Sequence, residues 1–194
     1  EERIGIAIGK EGRARGANFF GGVCINLVRH PAWGRAQESY GEDPYLLGEM
    51  GSSFVKGIQN NMMACTKHFA ANSMENARFK VNVEIDKRSL HEVYLPHFNS
   101  EWCGHHKHLL RDILKGQWGF DGIVISYFIW GTRDTEDAVN GGLDIEMHVE
   151  QFYGKYLIKA VKDGLVDERL INESAERILR TKLKFSKLLG ENKY

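Results

Sequence analysis

The stretch GFDGIVISYFIWGTRDTEDAVNGGLDIEMH (residues 119–148) decides the fold. It holds two short apolar runs, Ile123-Val124-Ile125 and Leu143-Asp144-Ile145, each introduced by glycine. A β-branched run of this length, bounded by turn residues, suits a strand buried on both faces, as in a parallel sheet. Residues 134–139 between them have the charge and spacing of a short helix. Strand, helix and strand in this order make a crossover unit, and chemistry in such folds sits where a strand ends. Here that is Ser126-Tyr127-Phe128.

Working outward, residues 1–17 carry small and apolar residues at helical spacing and predict a surface helix ending near Gly16. Residues 19–27 read as a buried strand weakened by Gly21-Gly22. A loop over 28–44, punctuated by Pro31 and Pro44, leads into a helical stripe over 45–59. Residues 62–69 are a strand candidate and 80–85 a shorter, half-buried one. Asp86 suits the cap of a helix reaching about residue 98. Further helices are predicted over 106–115, closed by Gly116, over 150–162, stopped at Gly164, and from Asp167 onward with Leu170, Ile171, Ile178, Leu179 and Leu183 on one side.

Composition narrows the function. At 194 residues one domain over 1–194 is expected, and 42% hydrophobic content is ordinary for a globular chain. Lys plus Arg total 26 and Asp plus Glu total 26, so no net charge points to nucleic acid or an anionic membrane as partner. Neutral substrates fit. Cys24, Cys65 and Cys103 are too few and scattered for a disulfide framework, and no cofactor motif is present. His105, His106 and His108 have no acidic or cysteine ligand suitably placed nearby, so no metal site is expected. No signal peptide or membrane-length apolar run is seen. Localisation stays open, with the cytoplasm slightly favoured, because an upstream segment could carry a signal.

Three motifs carry more. RHPAWGR (29–35) is followed by ESYGEDP (38–44), and KHFAANSMENAR spans 67–78. By themselves they leave alternatives open. Arg35 could bind a ligand or pair with Glu38 or Glu42, Trp33 could pack or form a platform, and His68 could be a bonded core histidine. Together with residues 119–147 they closely resemble glycoside hydrolase family 3, the β-glucosidase family. The resemblance implies a (β/α)8 barrel and retaining hydrolysis of O-glycosyl bonds. It also implies that Arg35, Lys67, His68 and Arg78 bind hydroxyls of a β-glucoside, or another small neutral sugar, in the −1 subsite. Residues 70–72, Ala-Ala-Asn, lack the histidine loop of the family's N-acetylglucosaminidases, so the chain sides with the β-glucosidase-like branch.

The resemblance fails at one decisive position. Where the family has its nucleophilic aspartate, this chain has Tyr127. Phe128 keeps the aromatic residue that follows it and joins the expected substrate-binding set. Retaining glycosidases need two carboxyl groups about 5–5.5 Å apart. A phenol with a pKa near 10 is a poor substitute without an adjacent base. The family's acid/base lies in a second α/β domain beyond the equivalent of Tyr194. Its first strand precedes the equivalent of Glu1, and a further strand-bearing segment lies between the equivalents of Phe98 and Asn99. The expectation is therefore an α/β fold forming an incomplete or rearranged (β/α)8-type barrel. Its function is that of a β-glucosidase relative impaired or inactive as this chain stands, a pseudoenzyme. The alternative is a non-catalytic sugar-binding or scaffold protein. Exposed strand edges would favour a homo-oligomer.

Overall fold

A computed structural model describes residues 1–76, 78, 80–81, 83–98, 107–126, 132–147 and 149–190. Tyr127, Phe128, Cys103, His105 and His106 lie outside the described residues. The chain divides into two compact units, Glu1–Trp102 and Cys103–Tyr194.

In the first unit, helix α1 (Glu2–Ala14) leads to strand β1 (Phe19–Cys24), helix α2 (Pro44–Gln59) and strand β2 (Met63–Lys67). The two strands pair in parallel, with Phe19 opposite Met63 and Cys24 opposite Lys67. The register slips between Phe20 and Val23, where Gly21-Gly22 supply no side chain to hold it. Helix α2 begins on Asp43, whose carboxylate accepts from the N–H groups of Tyr45 and Leu46, with Pro44 in the first helical position. It buries Leu47, Phe54, Val55 and Ile58. Phe54 meets Phe20 edge-on, with ring centroids 5.8 Å apart. On its other side α2 meets α1 glycine to glycine. A Cβ on Gly57 would lie 2.2 Å from the Glu2 carbonyl, and one on Gly5 would lie 2.5 Å from that of Phe54.

Two expectations in this unit change. No strand forms at 80–85 among its described residues. Val81 and Val83 are 38% and 50% exposed, so the alternation there has no apolar surface to cover. Asp86 does cap, accepting from the Ser89 N–H at 3.0 Å. The helix it opens changes pitch, however: α3 (Lys87–Ser89) widens into a π-type turn at Leu90–Tyr94 and tightens to 3-10 at Pro96–Phe98. Proline at 96 has no N–H to continue the ladder.

The second unit opens with a π-type helix at His108–Gln117 that buries Leu110, Ile113 and Leu114. Gly116 lies inside this helix, and the glycine with positive φ comes at Gly119, φ 65°. The apolar runs 123–125 and 143–145 meet in one parallel bridge, Ile125 with Ile145, and helix α4 (Thr135–Gly141) lies between them in sequence as expected. The pairing is short because a side chain replaces part of the ladder. The Asp144 carboxylate takes the Val124 N–H at 2.8 Å. That carboxylate is fully buried and also accepts from Lys115, Ser174 and Arg177 at 2.7–3.1 Å. Burial lowers the Lys115 pKa to about 8, although Asp144 pulls the other way.

Helix α5 (Lys155–Lys162) starts later than predicted. The Glu146 carboxylate captures the N–H groups of Gln151, Phe152 and Tyr153, which holds that segment as a loop. Helix α6 (Glu168–Gly190) follows, and Val139, Ala160 and Val166 form a core joined by Leu170 and Ile171. The chain is thus mixed α/β, with the parallel pairings and β/α order of an incomplete (β/α)8-type barrel. Among the described residues, no helix is long and apolar enough to cross a membrane.

Candidate sugar site

Because β1 and β2 are parallel and in register at Cys24 and Lys67, their carboxyl ends lie side by side. The segments leaving those ends carry the expected site residues. Past β1, the chain runs through buried Ile25, Asn26 and Leu27 into the loop that bears Arg35. Past β2, it passes His68 and reaches Arg78. The peptide bond between Lys67 and His68 is cis. Asn26 fastens the two segments, donating from its side chain to the Asn72 carbonyl at 3.1 Å.

Arg35, Lys67, His68 and Arg78 are brought together. Arg35 forms a two-point ion pair with Glu38, Nε to Oε1 at 2.7 Å and Nη2 to Oε2 at 2.8 Å. Lys67 Nζ lies 3.4 Å from the same carboxylate. Arg78 Nη1 donates to Glu75 Oε2 at 2.5 Å. Glu75 also accepts from Trp33 Nε1 at 3.3 Å and Asn72 Nδ2 at 3.4 Å, and lies 4.0 Å from Arg35 Nη1. The pairing of Arg35 thus falls on Glu38. Trp33, 5% exposed with its N–H on Glu75, packs instead of offering a platform.

His68 is 8% exposed, and its Nδ1 is 3.9 Å from Cys24 Sγ. Burial first, then the nearby charges of Arg35 and Lys67, push its pKa down to about 3. It is a neutral imidazole at physiological pH, able both to donate and to accept. The Arg35 hydrogen bonds hold Glu38 down at about 2, so its charge is permanent near neutrality. Burial raises the Cys24 thiol, which favours its protonated form. The cluster can bind and orient hydroxyl groups through fixed donors and acceptors.

Sequence reasoning passed over Glu75 and Asn26. The Arg35/Glu38 and Glu75/Arg78 spacing of three residues was the available signal, since side chains three apart meet on a helical turn. Asn26 carried no such signal, sitting in an apolar run. Tyr127 and Phe128 lie outside the described residues. A shallow depression of about 160 Å³ in the second unit, lined by Asp134, Glu136, Tyr156, Lys159 and Asp163 among others, contains none of the expected site residues. Among the described residues, no group of three His, Cys, Asp or Glu could hold a metal ion.

Parallel strand ends that gather Arg35, Lys67 and Arg78 define an α/β protein with a polar cluster at the carboxyl ends of its strands. Its family follows from comparison with known proteins. The model of the glycosyl hydrolase family 3 N terminal domain matches residues 2–101 and 91–181, and the chain belongs to that family. It is 36% identical over 201 residues to thermostable β-glucosidase B of Acetivibrio thermocellus, covering 92% of this chain and 26% of that protein. A β-glucosidase from Streptomyces venezuelae, solved with D-glucose, superposes with a TM-score of 0.89 at 33% identity over 97% of this chain and 28% of that one. β-Glucosidase 3B from Thermotoga neapolitana, solved with glycerol, gives 0.90 at 29% identity, covering 97% and 30%. The chain spans about a quarter of the length of the curated relatives it matches.

Proposed function

We propose that this chain is the barrel portion of a β-glucosidase-like protein that binds a β-glucoside or a similar small neutral sugar through Arg35, Lys67, His68 and Arg78. The observation that carries this reading is the convergence of these four residues on adjacent parallel strand ends. The Streptomyces relative was solved with D-glucose and the Thermotoga relative with glycerol, which supports a small polyol as the ligand class. Phe128 joins this substrate-binding set by its place in the sequence motif. Tyr127 stands at the nucleophile position, so retaining hydrolysis by this chain is impaired or lost. Removing a covalent nucleophile costs orders of magnitude in rate. The two matched pieces of the family model meet over residues 91–101, which supports a shortened barrel there.

Titration with D-glucose and a gluconolactone-type inhibitor, followed by heteronuclear NMR, tests the pocket. Saturable binding that Arg78→Ala abolishes is the expected result, and no binding by folded protein would turn attention to a scaffold role. Turnover of an aryl β-glucoside by the wild-type chain would overturn the impaired-hydrolase reading. Gain of turnover in Tyr127→Asp would locate the defect at that position.

A further inference from the structure

The cations of the site come with their own counter-ions. Glu38 touches Arg35 at 2.7 and 2.8 Å and Lys67 at 3.4 Å; Glu75 touches Arg78 at 2.5 Å and lies 4.0 Å from Arg35. All five side chains are at most about one-third exposed, between 16% and 35%. Glu75 is fixed from a second direction by the neutral donors Trp33 and Asn72, and Glu38 by the two-point geometry of its arginine. Neither carboxylate can swing away cheaply.

Two arginines and a lysine clustered without such partners are the donor set that captures a carboxylate or a phosphate. With both glutamates in place, an anionic ligand would have to settle against two fixed negative charges in a partly desolvated site, where like-charge repulsion is weakly screened. A neutral polyol meets no such opposition. Its hydroxyls can share the lone pairs and N–H groups of charged pairs without undoing them.

We propose that Glu38 and Glu75 determine specificity: by pairing Arg35, Lys67 and Arg78 they cancel most of the cluster's charge, so the site selects neutral sugars over anionic ones. This rests on the sugar-binding reading above. The test is calorimetric titration of wild type, Glu38→Gln and Glu75→Gln with D-glucose and D-glucuronate at low and high salt. Glutamine keeps the size and an acceptor oxygen while removing the charge.

Wild type is expected to bind glucose about tenfold or more tighter than glucuronate, little affected by salt. In each variant the ratio should move about tenfold toward glucuronate, with the gain lost at high salt. Wild type that binds glucuronate as tightly as glucose would overturn the proposal. So would variants, folded by thermal shift, whose ratio is unchanged. Should both variants fail to fold, the wild-type ratio and its salt dependence decide alone. Glucuronate capture by the variants with no glucose binding by wild type would keep the charge assignment and sink the sugar-site reading.

Discussion

Asp144 and His68 are buried polar residues with opposite electrostatic settings. Asp144 is saturated with donors and sits between two cations whose side chains are 10% and 12% exposed. Asp144→Asn leaves Lys115 without its counter-charge and Arg177 with only the more distant Glu173 at 4.0 Å, and breaking a buried pair this way costs about 3–5 kcal/mol. Urea unfolding should show that loss without a change in secondary structure beforehand, and a stability within error of wild type would refute it. His68, by contrast, stays neutral, as does His97, which burial lowers to about 4. Both folded pKa values lie below the unfolded value near 6.5, so the unfolded chain binds more protons between there and about 4 or 3. Stability is full above that window and falls as the pH drops through it, by about 1.4 kcal/mol per unit for each histidine. Unfolding curves at pH 7 and pH 5 should differ accordingly, and His97→Gln should flatten the difference. Parallel behaviour of wild type and variant would remove His97 from the account.

At the scale of elements, the α1–α2 crossing is the most exacting contact. Gly57→Ala would drive a methyl into the Glu2 carbonyl, separating helices that now meet backbone to backbone. A cost of about 1–3 kcal/mol follows, read as a lower melting temperature, while alanine at the open, positive-φ Gly16 tests strain without a clash. An unchanged melting temperature for Gly57→Ala would mean the helices part freely. Much of this order was legible in sequence. The crossover unit, the helical stripe over 45–59 and the strand–loop motifs carry short-range signals, and they yielded α2, α4, β1 and β2. What was not legible depends on distant partners. The strand expected at 80–85 needed an apolar surface to cover, and the late start of α5 needed the Glu146 carboxylate to reach three N–H groups. Gly116 and Gly119 differ only in which takes positive φ, which a one-dimensional pattern cannot rank. In the site, the cations were legible because the motifs are long, and Glu38 because it lies three residues from Arg35, whereas the reach of Glu38 to Lys67 and of Glu75 to Trp33 emerges only when two loops fold against each other.

For the whole molecule, the expectation of self-association stands as a proposal with a direct test. Tyr156, Ile158, Leu165, Leu179 and Leu183 are all at least half exposed. Apolar surface of that kind favours association. Sedimentation velocity should show a concentration-dependent dimer that the double change Leu179→Glu and Leu183→Glu suppresses. A monomer at every concentration would end that proposal. A different consequence follows from the Asp144 cluster. Ser174 and Arg177, two of its donors, sit early in the 23-residue helix α6, and the family match ends at residue 181, one turn beyond Arg177. A protein chemist trimming this chain from its carboxyl end, or fusing a reporter there, could remove the distal turns of α6 with little penalty. A cut before residue 177 would leave a buried carboxylate short of its arginine. The shortest workable boundary is therefore set by one ion pair and not by the length of the apolar stripe.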